Sequence, residues 1–429
     1  MDSQIALLKR WRLSTFFVCL FGYVGYYICR KNLSAALPLI SAEFGYSNSE
    51  LGLIALYSEL SYAAGKFING PLGDKIGGRK IFLIGMLGAI GCNLLFSLGY
   101  DLIYFIIIWC VCRYFLSMGW GGLVKMIGNW YEPEKNGTVM GLISLNFQFG
   151  GVVATLFAGL IVAMGGGWRD IFIYPAGVLI LIFIWSYFGS KDSPQDVVAG
   201  TEFGKSAGQL QSILEESNTE VGASPIKKLL RLRLFKVLLA YSFLTTFLRS
   251  IFFFWTPKLL VDLGMGTSNA ILKSALFPLL GCLGTIFIGW YTDKHSKDNR
   301  AKMMWKMLMG LAVCLVALVF IIKYIPYEKN LLVLFLSLSG FFLLGPYSMS
   351  SGCLTLDIAG SKAAGSATGV IDGLGYIGGA LAVWSAGAIS DQLGWAEVFA
   401  LLSLCSLLAV ICAVFMSYEF EKKIKEKII

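Results

Sequence analysis

Residues 70–80 read GPLGDKIGGRK, and residues 289–302 read GWYTDKHSKDNRAK. Both contain Gly-x-x-x-Asp-Lys: Gly70, Asp74 and Lys75 in the first, Gly289, Asp293 and Lys294 in the second. Each stretch closes a long apolar run and opens a short basic loop. Glycine lets two helices approach closely, and an acid at a helix end caps it or pairs across to another helix. The pattern thus recurs at the same place in two similar halves of the chain.

Working outward from the repeat, the rest of the chain is greasy. Of its 429 residues 57% are hydrophobic and 14% charged, with a mean hydropathy of +0.72. Soluble domains carry about 25% charged residues. A helix needs about 20 apolar residues to cross a bilayer. Twelve runs qualify, at about 13–37, 51–72, 81–100, 102–124, 138–163, 169–190, 235–257, 269–291, 304–324, 331–355, 364–389 and 395–417. No alternation runs long enough for a membrane barrel. The first run is long enough to span and has no small-residue cleavage site, so no cleavable leader is expected. The fold expected is an all-α membrane protein of twelve transmembrane helices in two six-helix halves. Its parts are residues 1–190, a polar cytoplasmic linker over 191–234, and residues 235–429. Within the linker, SPIKKLLRLRLFK (224–236) reads equally as a basic amphipathic helix or a solvated run.

The basic residues set an orientation. If the N-terminus is inside, the inner loops hold Lys9, Arg10, Arg12, Lys75, Arg79, Lys80 and the cluster from Lys294 to Lys306. The outer loops hold only Arg169, Lys258, Lys273, Lys323 and Lys329. This bias places both termini in the cytoplasm, in an inner or plasma membrane. Most of the net charge of +9 then faces anionic lipid. Dispersed over short loops, it makes a poor nucleic-acid surface. The ten cysteines lie mostly in apolar runs without paired spacing and read as small buried hydrophobes. The single histidine, His295, sits in a loop, so no histidine metal site or hydrolase triad is available. No cofactor, metal or enzymatic activity is expected, and the partners expected are the lipid bilayer and a small anion, with the chain a monomer.

Six basic residues fall inside the spans: Arg30, Lys31, Lys66, Arg113, Lys125 and Arg249. Only Glu59 and Asp372 lie well inside as acids. A cation at the bilayer centre costs about 2.5–3.5 kcal/mol on insertion scales. Lys31, in GYVGYYICRKNLSAALP (22–38), is near enough a span end to snorkel. Arg30 and Arg249 are different. They lie at similar depth in segments one and seven, equivalent positions of the two halves. An anion offsets both, and a guanidinium fork matches phosphate oxygens bidentately. Lys66, in YAAGKFINGP (62–71), adds a point charge on segment two. Arg113 and Lys125 on segment four read as structural charges. Glu59 and Asp372 read either as charge partners or as contacts to a substrate hydroxyl, amine or proton.

The glycine–aspartate–lysine loops resemble the cytoplasmic signature of the major facilitator superfamily. More specifically, the chain resembles the organophosphate:phosphate antiporter family, which includes glycerol-phosphate and hexose-phosphate transporters and a hexose-phosphate sensor. The matching stretches are YYICRKNLSAALP (26–38), KFINGPLGD (66–74), SMGWG (117–121), NWYEPEKNG (129–137), KDSPQ (191–195), LRSIFFFWTP (248–257), GP (345–346), KAAGSATG (362–369) and GYIGG (375–379). The resemblance implies parallel six-helix halves with the substrate site between them. It implies that Arg30 and Arg249 are the phosphate-binding pair and that Lys66 is its segment-two lysine. Tyr23, Tyr26, Tyr27, Tyr62, Trp120 and Tyr376 match its aromatic pocket positions, and Lys125 a basic one. Some positions depart from the family pattern. Phe147 stands where some relatives carry histidine, Gly121-Gly122 replaces a proline pair, Ile371 replaces a lysine, and Thr246 and Leu344 replace tyrosines. Asp372 is placed in the pocket by its neighbours Gly369, Gly373 and Tyr376. The activity implied is exchange of a small organophosphate for inorganic phosphate. The alternatives are a membrane sensor of hexose phosphate and a cation-coupled symporter of organic anions.

Overall fold

The computed structural model describes residues 2–131, 139, 143, 146–199, 201, 229–295, 299–350 and 353–428. Outside the description lie most of NWYEPEKNG, most of the 191–234 linker with the start of SPIKKLLRLRLFK, and the side chains of Asp74, Phe147, Asp293 and residues 362–368. The described chain is helical and contains no strand. The helices are α1 (Asp2–Phe44), α2 (Asn48–Ile76), α3 (Gly78–Ser97), α4 (Leu102–Leu116), α5 (Met118–Trp130), α6 (Asn146–Ala163) and α7 (Asp170–Gly189). After them come α8 (Arg233–Asp262), α9 (Thr267–Ser274), α10 (Leu276–His295), α11 (Ala301–Tyr324), α12 (Lys329–Ser350), α13 (Cys353–Gln392) and α14 (Trp395–Ile428).

Ten helical stretches among the described residues are long and apolar enough to cross a membrane. The second and fifth expected spans fall on α2, which is 29 residues long and carries Glu59 and Lys66, and on α6 with its apolar stretch Phe149–Ala163. Each of the twelve expected spans therefore finds a helix, and the protein is a multi-pass integral membrane protein. Large apolar side chains such as Leu181, Phe188, Val313 and Ile411 point outward, as lipid-facing residues do.

Two expected spans are interrupted: segment four is α4 followed by α5, with the break at Ser117, and segment eight is α9 followed by α10, with the break at Ala275. The Ser117 hydroxyl donates back to the Tyr114 carbonyl at 2.7 Å. Such back-bonding loosens and bends helices.

The chain forms two compact units. Unit 1 comprises Met1–Ala36 with Leu60–Val221, and unit 2 comprises Leu37–Glu59 with Gly222–Ile429. In unit 1, α3 packs against α4, α5 and α7. Its core is aromatic: Phe96 stacks on Phe172 at 4.3 Å between ring centres and touches Phe105 and Trp109. Helix α1 lies across α3, with Gly22 against Phe82 and Met86. Asn32 donates from α1 to Asn93 of α3, both fully buried. In lipid such a polar pair joins helices that the hydrophobic effect cannot.

In unit 2, α8 packs on α13 and α14, α10 on α12, and α11 on α12 and α14. The end of α1 and the start of α2 belong here because Asp391 of α13 accepts hydrogen bonds from the backbone N–H groups of Asn48 and Ser49, at 3.0 and 2.6 Å. That carboxylate satisfies donors which the first turn of α2 leaves unbonded and faces the positive end of its dipole.

Candidate functional site

In unit 1 the site is built from α1, α2, α4 and α5 around one ring. Tyr62 of α2 is 1% exposed. Arg30 of α1 donates from Nη1 to the Tyr62 hydroxyl at 3.2 Å, and its guanidinium carbon lies 4.5 Å from the ring centre. The same guanidinium sits 5.4 Å from the ring of Tyr27. Lys66, one turn along α2, places its ammonium 5.5 Å from the Tyr62 ring. Cations within about 6 Å of an aromatic face are attracted by its quadrupole, more so when desolvated. Tyr27 continues to Tyr23 at 5.5 Å, and Tyr23 to Trp120 at 5.4 Å. The structure thus gathers Arg30, Lys66, Tyr62, Tyr27, Tyr23 and Trp120 into one continuous cationic and aromatic wall. Tyr26 turns away: its hydroxyl donates to the Phe82 carbonyl at 2.5 Å, and it packs α1 on α3.

A further residue joins this wall. Arg113 of α4 is 3% exposed, and its guanidinium carbon also lies 4.5 Å from the Tyr62 ring centre. The sequence shows the charge but not its destination. Two hydrogen bonds hold α2 against α4 on either side of the contact. Ser61 donates to the Cys110 carbonyl at 2.8 Å, and Asn69 to the Ser117 hydroxyl at 2.7 Å. Between them Gly65 faces Ser117, where a Cβ would collide with the hydroxyl oxygen. Glycine in GKFING is therefore what lets the helices close on the ring.

In unit 2, Arg249 of α8 lies 5.0 Å from the Phe253 ring and 4.7 Å from that of Tyr347 on α12. Sequence reasoning missed Tyr347, which follows the Gly345-Pro346 pair. On α13, Asp372 and Tyr376 are half-buried and one turn apart. Gly375 and Gly379 beside them meet Thr246 and Ser250 of α8, where added Cβ atoms would come within 2.8 and 2.6 Å of the hydroxyl oxygens. This close approach brings the α13 face to the helix that carries Arg249.

The loop signature serves structure in unit 1. Gly77, at φ +99°, turns the chain into α3, and the Asp192 carboxylate accepts from the Arg79 N–H at 2.6 Å. The Arg79 side chain donates to Ser190 at 3.2 Å. Asn129 and Trp130 of α5 donate to the carbonyls of Asp192 and Lys191 at 3.1 and 2.9 Å. KDSPQ therefore staples the first turn of α3 to the end of α5. Lys125 donates to the Gly73 carbonyl at 3.0 Å, fixing α5 to the end of α2.

The Major Facilitator Superfamily profile matches residues 19–383. The chain belongs to the major facilitator superfamily. As a facilitator it is similar over nearly its whole length to three curated proteins. The probable hexose phosphate transport protein of Chlamydia trachomatis serovar D is 26% identical, over 94% of this chain and 90% of that protein. The glycerol-3-phosphate transporter of Bacillus subtilis (strain 168) is 28% identical, over 96% and 93%. The membrane sensor protein UhpC of Escherichia coli (strain K12) is 26% identical, over 93% and 90%. Among solved structures, a bacterial homolog of the human lysosomal transporter Spinster superposes with a TM-score of 0.73 at 15% identity, covering 97% of this facilitator and 98% of that chain. That likeness shows the fold.

Proposed function

We propose that this facilitator exchanges a small organophosphate, of the sugar phosphate or glycerol phosphate class, for inorganic phosphate by alternating access, with both termini in the cytoplasm. The observation that carries the reading is the pair of span arginines held against aromatic rings, Arg30 on Tyr27 and Tyr62, Arg249 on Phe253 and Tyr347. Rings hold a guanidinium in place through their quadrupoles. A dianionic phosphate group is the partner that its planar fork fits best. Lys66 supplies a further charge beside Arg30. Tyr23, Tyr27, Tyr62, Trp120 and Tyr376 supply faces and hydroxyls for the organic part, and Asp372 a contact to its hydroxyls. The likeness to hexose phosphate and glycerol-3-phosphate transporters supports the substrate class.

The test is counterflow in proteoliposomes. Vesicles loaded with labelled phosphate release it when glucose 6-phosphate or glycerol 3-phosphate is added outside. No release with any organophosphate in a broad panel rejects antiport. The likeness to a membrane sensor supports a second reading, in which the chain binds hexose phosphate and signals. Saturable binding without counterflow is the outcome that favours it.

A further inference from the structure

We propose that Arg113 is a positioning residue for the anion site: it clamps Tyr62 from α4 and, through that ring, sets the place of Arg30. The proposal rests on the reading of Arg30 as a phosphate ligand. Arg30 and Arg113 each lie 4.5 Å from the centre of the Tyr62 ring, so their guanidinium carbons are at most twice that distance apart. Lys66 shares the ring at 5.5 Å. Three cations thus meet one phenol on three helices, α1, α2 and α4.

Packing alone does not call for a charge here. The α2–α4 contact is already made by Ser61 on Cys110, by Asn69 on Ser117 and by the close approach at Gly65. A hydrophobic side chain of similar volume fills such a place at lower desolvation cost than a guanidinium. What the charge adds is a field and a direction. The ring quadrupole draws Arg113 to the ring and holds the phenol in one rotamer. The Tyr62 hydroxyl then stands where Arg30 Nη1 donates to it at 3.2 Å. A fixed Tyr62 fixes the Arg30 fork.

Contact through a shared ring predicts non-additive effects, which independent sites do not show. The probe is inorganic phosphate binding to the purified full-length protein by calorimetry, with counterflow measured in parallel. Arg113→Gln is expected to weaken phosphate binding at least tenfold, and Arg113→Lys, which keeps the charge without the planar face, by a smaller factor. In a Tyr62→Leu background, Arg113→Gln is expected to weaken binding by less than threefold, because the ring that transmits its effect is gone. Where Arg113→Gln yields no folded protein, Arg113→Met serves as the neutral variant. Unchanged affinity in the neutral variant, or losses that multiply independently with Tyr62→Leu, overturn the proposal. So does a lowered melting temperature with phosphate affinity intact, which makes Arg113 a packing residue. Wild-type protein that binds phosphate and shows the Arg113 effect without counterflow rejects antiport and keeps the inference. Wild-type protein with counterflow but no Arg113 effect does the reverse. Absence of phosphate binding by the wild type rejects both.

Discussion

Arg30 lies against the rings of Tyr27 and Tyr62, and Arg249 against those of Phe253 and Tyr347, so rings orient both guanidinium planes. Arg30→Lys and Arg249→Lys are each expected to lower exchange at least a hundredfold while the melting temperature stays within a few degrees of wild type. Lysine keeps the charge and loses the bidentate fork. Near-normal exchange by either purified variant removes that arginine from the site. Asn32 offers a contrasting case from the same motif. Its side chain bonds to buried Asn93 and holds α1 on α3. Asn32→Leu strands a buried acceptor, at about 1–3 kcal/mol. The double variant Asn32→Leu/Asn93→Leu restores part of the loss, because both polar groups are then gone. A double variant with a lower melting temperature than either single one contradicts this account. At this scale the sequence is legible where charge is rare: Arg30, Lys66 and Arg249 stand out in apolar runs. It is illegible where residues are common or where helix phase decides. Tyr347 is one aromatic among many, and nothing in the spacing of Arg113 names Tyr62 as its neighbour.

Helices were legible from length, since twelve runs long enough to span leave little else for the chain to form. Their ends and breaks were less so. At the interruption in segment four the Ser117 hydroxyl turns back on its own helix, two residues before Gly119, and the sequence alone does not place the break there. KDSPQ was visible as a motif, but its use as a cap on α3 depends on a carboxylate more than a hundred residues away in sequence. The start of α2 is a similar case. Asn48 Nδ2 lies 3.4 Å from Asp262 and 3.1 Å from Ser390, so a polar cluster surrounds the cap that Asp391 provides. Asp391→Ala leaves the first N–H groups of α2 without that carboxylate. Loss of such a cap costs about 0.5–2 kcal/mol. The expected result is a melting temperature lowered by a few degrees, with Asp391→Asn intermediate because an amide still accepts. A change confined to transport, with the melting curve unmoved, shows that the cap does not hold α2 in the folded protein.

For the molecule as a whole, the consequence of two span arginines is a rule about the empty carrier. In the proposed alternating-access cycle, Arg30 and Arg249 each pass through a state with little water around them. On insertion scales a cation at the bilayer centre costs about 2.5–3.5 kcal/mol, which corresponds to roughly a hundredfold in rate. Under the proposed antiport, bound phosphate offsets that cost and the empty site does not, so exchange is expected to be fast and net flow slow. Proteoliposomes loaded with labelled phosphate are expected to leak it at least tenfold more slowly into phosphate-free buffer than into buffer containing phosphate. Removing an arginine relaxes the rule, whereas removing Lys66 does not: Lys66→Gln leaves both arginines in place and should retain the ratio, while Arg249→Gln should raise the empty-site leak relative to exchange even as total transport falls. Asp372 enters the same comparison. If it couples a proton, an imposed pH gradient drives net phosphate uptake without a counter-substrate, and Asp372→Asn abolishes it. If it contacts the organic part of the substrate, Asp372→Asn keeps phosphate self-exchange and reorders the organophosphates by affinity, which is the expected outcome. Equal efflux with and without external phosphate in the wild type sinks the exchange rule, because it means that the empty carrier reorients as readily as the loaded one.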